Sequence, residues 1–129
     1  MYGPQNAKRS YQTQAVQTAG PGQLVLMCYD GLLTAITRAQ QAETPEELGA
    51  ELIRAQQIVT ELEYALDHDK GGDIARDLAA LYGYCFRELV AANLAKDTSN
   101  LASVQRVVVE LREGFEVACQ QIAPEAVAG

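Results

Sequence analysis

The rarest chemically reactive residues of this 129-residue sequence are one histidine and three cysteines. Cys28, Cys85 and Cys119 lie far apart in sequence and each stands among apolar residues, which is typical of a buried free thiol in a reducing compartment. A zinc site needs closer cysteine pairs or more histidines, and a nucleophilic cysteine needs a base beside it. We therefore interpret the cysteines as structural and expect neither a metal nor another cofactor.

The histidine, His68, lies in the segment 66–72, whose sequence is LDHDKGG. A helical bundle with one histidine, followed closely by lysine and glycine, is similar to histidine-phosphotransfer domains, so a signalling bundle that uses His68 is kept as an alternative. Asp67 and Asp69 would repel a phosphate, however. The paired glycines also predict a helix end, whereas the accepting histidine of that class lies in mid-helix. We expect a solvated histidine there.

Two further kinds of site, a di-iron centre and a phosphate-binding loop, are excluded because the sequence lacks residues that they require. A di-iron bundle needs two Glu-x-x-His motifs, which one histidine cannot supply. A phosphate-binding loop needs a Lys-Ser/Thr continuation, which is missing after Gly72. The sequence therefore predicts a protein that is not an enzyme.

The composition predicts a single globular domain, since 48% of the residues are apolar and good helix formers dominate. The formal net charge is −7, and residues 21–129 alone carry eight basic and seventeen acidic side chains, or −9. Such a body repels phosphate backbones, so no nucleic acid is expected as a partner. Residues 1–14 contain no apolar signal segment, and the longest apolar run, 24–29, is far too short to span a membrane. We expect a cytoplasmic protein without membrane insertion.

Four helices are predicted, at about residues 21–41, 45–67, 73–96 and 99–123. Thr44, Pro45 and Glu47 form a capping-box pattern at the start of the second helix. A flexible polar arm, residues 1–20, precedes the bundle of residues 21–123, and a short tail, residues 124–129, follows it. Because short connections join antiparallel neighbours, the predicted fold is an all-α, antiparallel, up-down four-helix bundle.

The first helix has a rival interpretation. Residues 23–29 favour a strand, and Asp30-Gly31 is a strong hairpin signal. The residues after Gly31 do not alternate between apolar and polar, however. Helical spacing continues through the glycine, at Val25, Tyr29, Leu32 and Ile36. We therefore predict a helix in which Gly31 lets a neighbouring helix pack closely.

The first and third helices carry more apolar positions than one core-facing stripe requires. In the third helix two stripes stand side by side, one at Ile74, Leu78, Leu81, Cys85, Leu89 and Ala92 and the other at Ala75, Ala79, Tyr82, Phe86, Val90 and Asn93. Apolar surface beyond what the core requires would form a groove for an amphipathic helix of a partner. The alternatives are that it is core, that the arm covers it, or that a homodimer, including a non-selective structural dimer, buries it.

Two blocks of the sequence resemble the flagellar secretion chaperone family, the export chaperones of flagellin. In the first block Tyr11 precedes the segment 21–31, PGQLVLMCYDG. The second block matches that family at Leu66, Asp67, Gly71, Gly72, Ile74, Ala75, Leu78, Leu81, Tyr82, Tyr84, Ala92, Asn93 and Asp97. The chain departs from the family pattern at Gly20, where serine is common, and at Phe115, where tryptophan is usual.

The resemblance implies a four-helix bundle that binds the C-terminal helical segment of flagellin in the cytoplasm, prevents premature filament polymerisation and delivers its cargo to the flagellar type III export gate. It implies no cofactor. The predicted contact or groove residues are Tyr11, Leu24, Met27, Tyr29, Leu78, Tyr82, Phe86 and Asn93. A further hypothesis is that Tyr11 of the arm occupies the groove in the free protein until flagellin displaces it. The identity of the flagellin and the oligomeric state of the free protein stay open.

Overall fold

The computed structural model describes the backbone of residues 21–128 and the side chains of residues 22–120. These residues form four helices and no strand: α1 (Pro21–Gln40), α2 (Pro45–Tyr64), α3 (His68–Ala95) and α4 (Leu101–Ala128). The predicted all-α class is confirmed. The hairpin alternative is excluded, because α1 continues through Gly31. The predicted arm, with Tyr11, lies outside the described residues.

The start of α2 follows from its local sequence. Thr44 adopts an extended conformation, and its hydroxyl accepts a hydrogen bond from the backbone N–H of Glu47 at 3.1 Å. The Glu47 carboxylate in turn accepts the N–H of Glu43 at 3.0 Å. The predicted capping box is therefore formed, displaced by one residue on its return bond.

The predicted boundaries around the paired glycines hold in part, because the backbone is non-helical at Gly72 and the long part of α3 follows it, as predicted, from residue 73. The second helix was expected to reach residue 67, but α2 ends at Tyr64, and α3 begins at His68 instead of residue 73. The physical reason is Asp67, whose carboxylate caps the new helix by accepting two backbone N–H groups at 3.0 and 3.1 Å. The glycine effect is still present, because Gly72 has φ +51° and interrupts the helical backbone inside α3.

The boundaries of α4 also differ from the prediction. It begins at Leu101 instead of residue 99, after Lys96 has ended α3 in the left-handed conformation. It continues to Ala128, past the expected end at residue 123. Pro124 removes one helical hydrogen bond, but the alanines, the two glutamines and the glutamate around it favour helix, so the backbone stays helical to residue 128.

The helices pack unequally around one core. α1 packs extensively on α2 and on α4, α3 packs on α2, and α3 and α4 have few contacts with each other. Gln40 bonds Gln105 while Asp30 bonds Arg112, so α1 and α4 run in opposite directions. The up-down order of the whole bundle stays a prediction. The core consists mainly of aliphatic residues and two tyrosines: Tyr29, Leu32, Ala35, Ile36, Ala39, Leu48, Leu52, Ala55, Val59, Leu62, Tyr82, Cys85, Leu89, Ala92, Leu101, Val104 and Val108.

Two glycines of α1 lie where neighbouring helices approach closely. A Cβ atom on Gly31 would lie 3.4 Å from the Ile58 side chain of α2, and one on Gly22 would lie 2.8 Å from the Cys119 sulfur of α4. The Gly31 distance is to a side-chain atom and is an ordinary van der Waals contact, so close approach of the two helix backbones there stays a prediction. None of the helices within residues 21–128 is long and apolar enough to cross a membrane.

Candidate functional site

The core-facing side of α3 is drawn from both of its predicted stripes. Its buried residues are Ala75, Tyr82, Cys85, Leu89 and Ala92. Beside them runs a row that the core does not cover. In this row Ile74 is 71% exposed and Leu81 is 38% exposed, while Leu78 is half-buried. The core therefore takes residues from both predicted stripes, and the apolar positions of α3 that it leaves over are 74, 78 and 81.

A matching row lies on α4. Gln105 and Arg112 bond α1 residues, so the side of α4 that they share faces α1. On the other side of its buried residues, away from Gln105 and Arg112, α4 carries Val107, Leu111 and Phe115, which are only partly buried. Because α4 faces α1 on one side, this second row faces α3. One row consists of Ile74, Leu78 and Leu81 on α3, and the other consists of Val107, Leu111 and Phe115 on α4. We call the space between these two rows the α3–α4 groove.

The groove closes at one end and opens at the other. At the closed end Asn100, just before α4, donates its side-chain N–H to the backbone carbonyl of Glu88 at 2.9 Å and to its carboxylate at 2.7 Å. At the open end there is a cavity of about 330 Å³. Its lining comes from all four helices and the connection between α2 and α3: Val25, Tyr29, Leu62, Ala65, Leu66, Asp67, Lys70, Gly71, Ile74, Ala75, Leu78, Tyr82 and Phe115.

Three aromatic rings form the floor of this cavity. Tyr29 of α1 packs edge-on against Phe115 of α4, with ring centroids 6.1 Å apart, and its ring is tilted by 49° against that of Tyr82 of α3 at 6.5 Å. The two tyrosine hydroxyls are hydrogen-bonded at 2.5 Å. Burial, followed by this hydrogen bond, raises the pKa of Tyr82 far above its usual range, and burial raises the pKa of Tyr29. Both phenols are therefore neutral at physiological pH, and the cavity floor is uncharged.

The structure brings three of the predicted site residues together. Tyr29, Leu78 and Tyr82 all line the cavity. Only Leu78 has substantial exposure, because Tyr29 is 1% and Tyr82 is 3% exposed. The two tyrosines thus form the floor of the cavity, and their direct role in binding stays a prediction.

The other predicted residues do not line the cavity. Leu24 is exposed and Met27 half-buried on α1, while Phe86 packs against the core. Asn93 lies near the end of α3, beside Gly49 of α2, and its side-chain oxygen accepts a hydrogen bond from Lys96 at 2.6 Å. Tyr11 lies outside the described residues. A direct role of these residues in binding stays a prediction.

Sequence reasoning missed four residues that shape the site: Val25, Ile74, Leu81 and Phe115. Ile74 and Leu81 were recognised as an apolar stripe, but the assignment of Tyr82 to the contact surface displaced them. No signal in the spacing separates these residues from the buried ones, because both predicted stripes contribute to the core.

No group of three or more His, Cys, Asp or Glu side chains within the described residues could hold a metal ion. Cys85 is buried, and burial raises its pKa to about 11. Burial, reinforced by Glu61, also raises the pKa of Cys28. Thiols of this kind are protonated at neutral pH and are poor nucleophiles. The expectation that all three cysteines are buried was wrong for Cys28 and Cys119, which are half-buried.

His68 is the first residue of α3 and is exposed, as expected for a solvated histidine. The carboxylate of Asp67 immediately before it is already used to cap the helix. A phosphate on His68 would lie beside this carboxylate and that of Asp69. The local charge thus opposes phosphotransfer in the structure as it does in the sequence.

Comparison with known proteins gives a consistent result. The chain matches the family described as flagellar protein FliS over residues 4–122. It is 38% identical to the flagellar secretion chaperone FliS of Bacillus subtilis over 119 residues, which cover 90% of this chain and 88% of that protein. It is 36% identical to FliS of Salmonella typhimurium, with coverage of 87% and 83%. Identity to the flagellar secretion chaperone FliSB of Pseudomonas aeruginosa is 31%, with coverage of 85% and 93%.

Proposed function

The chain belongs to the FliS family of flagellar secretion chaperones, and we propose that its client is the C-terminal helical segment of flagellin, held in the α3–α4 groove. Its function is that of an export chaperone and not of an enzyme. In this proposal the complex forms in the cytoplasm, keeps flagellin from polymerising before export and presents it to the flagellar export gate.

The observation that carries the proposal is the uncovered apolar row of α3. Ile74 is 71% exposed next to a cavity of about 330 Å³. Burying a side chain of this size contributes roughly 1.5–3 kcal/mol, so leaving it in water is a substantial cost that a partner would remove. A row at positions 74, 78 and 81 matches the stripe of an amphipathic helix lying along the groove.

The weak packing between α3 and α4 supports the same site. The two helices are tied together at the Asn100 end, and the open end is spanned by the rings of Tyr29, Tyr82 and Phe115. A client helix can therefore extend the apolar core without breaking an existing helix contact. Because a free segment must become ordered when it binds, the large contact area would give only moderate affinity, and moderate affinity would permit release at the export gate.

The test is titration calorimetry of the whole protein with a peptide of about the last forty residues of flagellin. We expect saturable one-to-one binding with a strongly negative heat-capacity change, because apolar surface becomes buried. In the variant Ile74→Glu the affinity should fall at least about tenfold, since a charge would have to enter an apolar contact.

The matched control is Leu94→Glu, which places the same charge on α3 at a side chain that is 82% exposed and does not line the cavity. It should bind like the parent protein. Equal losses in the two variants would contradict a specific groove. Absence of binding in the parent, together with a dimer that Ile74→Glu dissociates, would favour a homodimer as the occupant.

A further inference from the structure

One wall of the cavity is a short segment between the end of α2 and the long part of α3. α2 ends at Tyr64, and the helical backbone of α3 is interrupted at Gly72, which has φ +51° and ψ −123°. Five residues of the segment between them line the cavity: Ala65, Leu66, Asp67, Lys70 and Gly71. We call residues 65–71 the cavity lid. It is bounded by a helix end on one side and by a backbone break on the other.

The cavity lid is bent back onto α3. A Cβ atom on Gly71 would lie 2.8 Å from the Cβ atom of Ala75, whereas Cβ atoms four residues apart in a continuous helix are about 5–6 Å apart. The break at Gly72 therefore turns the first residues of α3 toward Ala75. Ala75 also lines the cavity and is 2% exposed. In this conformation the backbone of the lid covers Ala75.

The polar side chains of the lid bond within the lid and not to the rest of the bundle. The carboxylate of Asp67 accepts the backbone N–H groups of Asp69 at 3.1 Å and Lys70 at 3.0 Å, and its backbone carbonyl accepts that of Gly71 at 2.7 Å. Among the side chains of residues 22–120, none of the lid is joined to α1, α4 or the rest of α3 by a hydrogen bond or an ion pair. The lid can therefore move as one piece and keep its own hydrogen bonds.

The apolar contact between the lid and the core is also small. Leu66 is partly buried against the core, while residue 65 and residues 67–70 are exposed. A segment with few buried apolar contacts can open locally at a lower free energy than the whole domain. Gly72 supplies a hinge, because glycine adopts a positive φ at no steric cost and can change its backbone angles freely.

We propose that the cavity lid is a moving part, which covers Ala75 in the free protein and opens about Gly72 to admit an apolar side chain of a partner to the cavity. The entering side chain is apolar because the cavity is lined mainly by aliphatic and aromatic residues. This inference rests on the proposed function only for the identity of the partner. The motion itself is a property of the free chain.

The test places a thiol beneath the lid with Ala75→Cys in the full chain. The protein is treated with iodoacetamide, and the labelling rate of each cysteine is followed by peptide mass spectrometry. Cys85, which is 1% exposed in the core, is the internal reference for global unfolding. Because lid opening should occur far more often than opening of the core, we expect the thiol at position 75 to be labelled at least about tenfold faster than Cys85.

Two variants of this labelled protein should open the lid, and a third is the matched control. Gly72→Ala strains the closed conformation, in which φ is +51°, and should speed labelling at position 75 at least about fivefold. Asp67→Ala removes the internal cap and should speed it about three- to tenfold. The rate at Cys85 should not rise with it in either variant. Gly114→Ala makes the same change as Gly72→Ala where a Cβ atom meets nothing within 4 Å, and it should leave labelling at position 75 unchanged.

Equal labelling rates at position 75 and at Cys85 would overturn the inference, because position 75 would then become accessible only when the whole domain unfolds. An equal rise at both positions in Gly72→Ala would overturn it too, since the strain would then be relieved by unfolding and not by lid opening. The labelling needs no client, so it is independent of the calorimetry with flagellin. If the lid opens but the flagellin peptide does not bind, the lid stands and the proposed client fails. If the peptide binds but position 75 is labelled no faster than Cys85, the proposed function stands and the lid fails.

Discussion

The α1–α2 contact and the α3–α4 contact differ in the size of the side chains that form them and in how closely the two helices pack. Where α1 meets α2, small residues such as Ala35, Ala39 and Ala55 are buried, and Gly31 lies against Ile58. Where α3 meets α4, large residues face each other and few contacts are made. Small residues let two helix backbones approach, while large aliphatic and aromatic residues hold them apart. One pair of helices therefore forms a complete core and the other leaves a groove.

Under the proposed function, this difference separates residues for stability from residues for binding within a single small bundle. In the closed pair Leu52 and Val59 are 0% exposed, although Ile53 of the same helix is 49% exposed. In the open pair Ile74 is 71% and Leu81 is 38% exposed, so these two side chains contribute little to folding, and the proposed client would complete their burial. Substitutions in the closed region should therefore lower stability more than binding, and substitutions in the groove should lower binding more than stability.

The largest effect is expected for Leu52→Ala in the closed region. Leu52 is fully buried in α2, so truncation removes apolar burial and leaves a cavity, which should lower the free energy of unfolding by about 3 kcal/mol. Leu81→Ala in the groove removes the same atoms from a side chain that is 38% exposed and should cost less than about 1 kcal/mol. Urea denaturation followed by circular dichroism measures both. Similar losses would show that the groove is as well packed as the core.

The second effect concerns the tyrosine pair beneath the groove. Tyr82→Phe leaves the buried Tyr29 hydroxyl without its partner and should lower the free energy of unfolding by about 1–2 kcal/mol at pH 7. Both phenols have a pKa raised above the usual value of about 10, so the folded state favours their neutral forms. Their contribution is complete below pH 10 and is lost as the pH rises further. The parent protein should therefore lose stability above pH 10 more steeply than Tyr82→Phe.

The third effect tests whether the arm competes for the open region. If Tyr11 occupies the groove in the free protein, deletion of residues 1–17 removes a competitor, and the flagellin peptide should bind about threefold to tenfold more tightly. Tyr11→Ala in the full chain should give part of the same gain, whereas Tyr2→Ala should give none. Calorimetry with the same peptide measures all three. Unchanged or weaker binding after the deletion would rule out competition by the arm.

Much of the closed region could be predicted from the sequence, because it rests on local patterns. The Thr44 capping box and the apolar spacing through Gly31 identified helices without any tertiary information. The open region could not be predicted at the same level. Two neighbouring stripes on the third helix are equivalent by periodicity alone, and only the packing of α2 and α4 against it decides that Tyr82 is buried while Ile74 is exposed. The helix start at His68 likewise depends on a single cap, Asp67, that competes with the glycines after it.

The smallest expected effect compares two glycines in helix interiors, one in each region. Glycine costs about 1 kcal/mol relative to alanine inside a helix. Gly114 of α4 is exposed, and a Cβ atom there would meet no atom within 4 Å, so Gly114→Ala should raise the free energy of unfolding by nearly that amount. A Cβ atom on Gly31 would lie 3.4 Å from Ile58. Close packing should offset part of the gain, so Gly31→Ala should stabilise by less than about 0.5 kcal/mol.

Denaturation of the two single variants and of the double variant makes this comparison quantitative. Because the two glycines contact different helices, their effects should add within about 0.5 kcal/mol. Equal gains at the two positions would mean that the α1–α2 contact yields easily to an added methyl group. In that case close backbone packing would not be what distinguishes the closed region, and the groove would have to be attributed to the large residues of α3 and α4 alone.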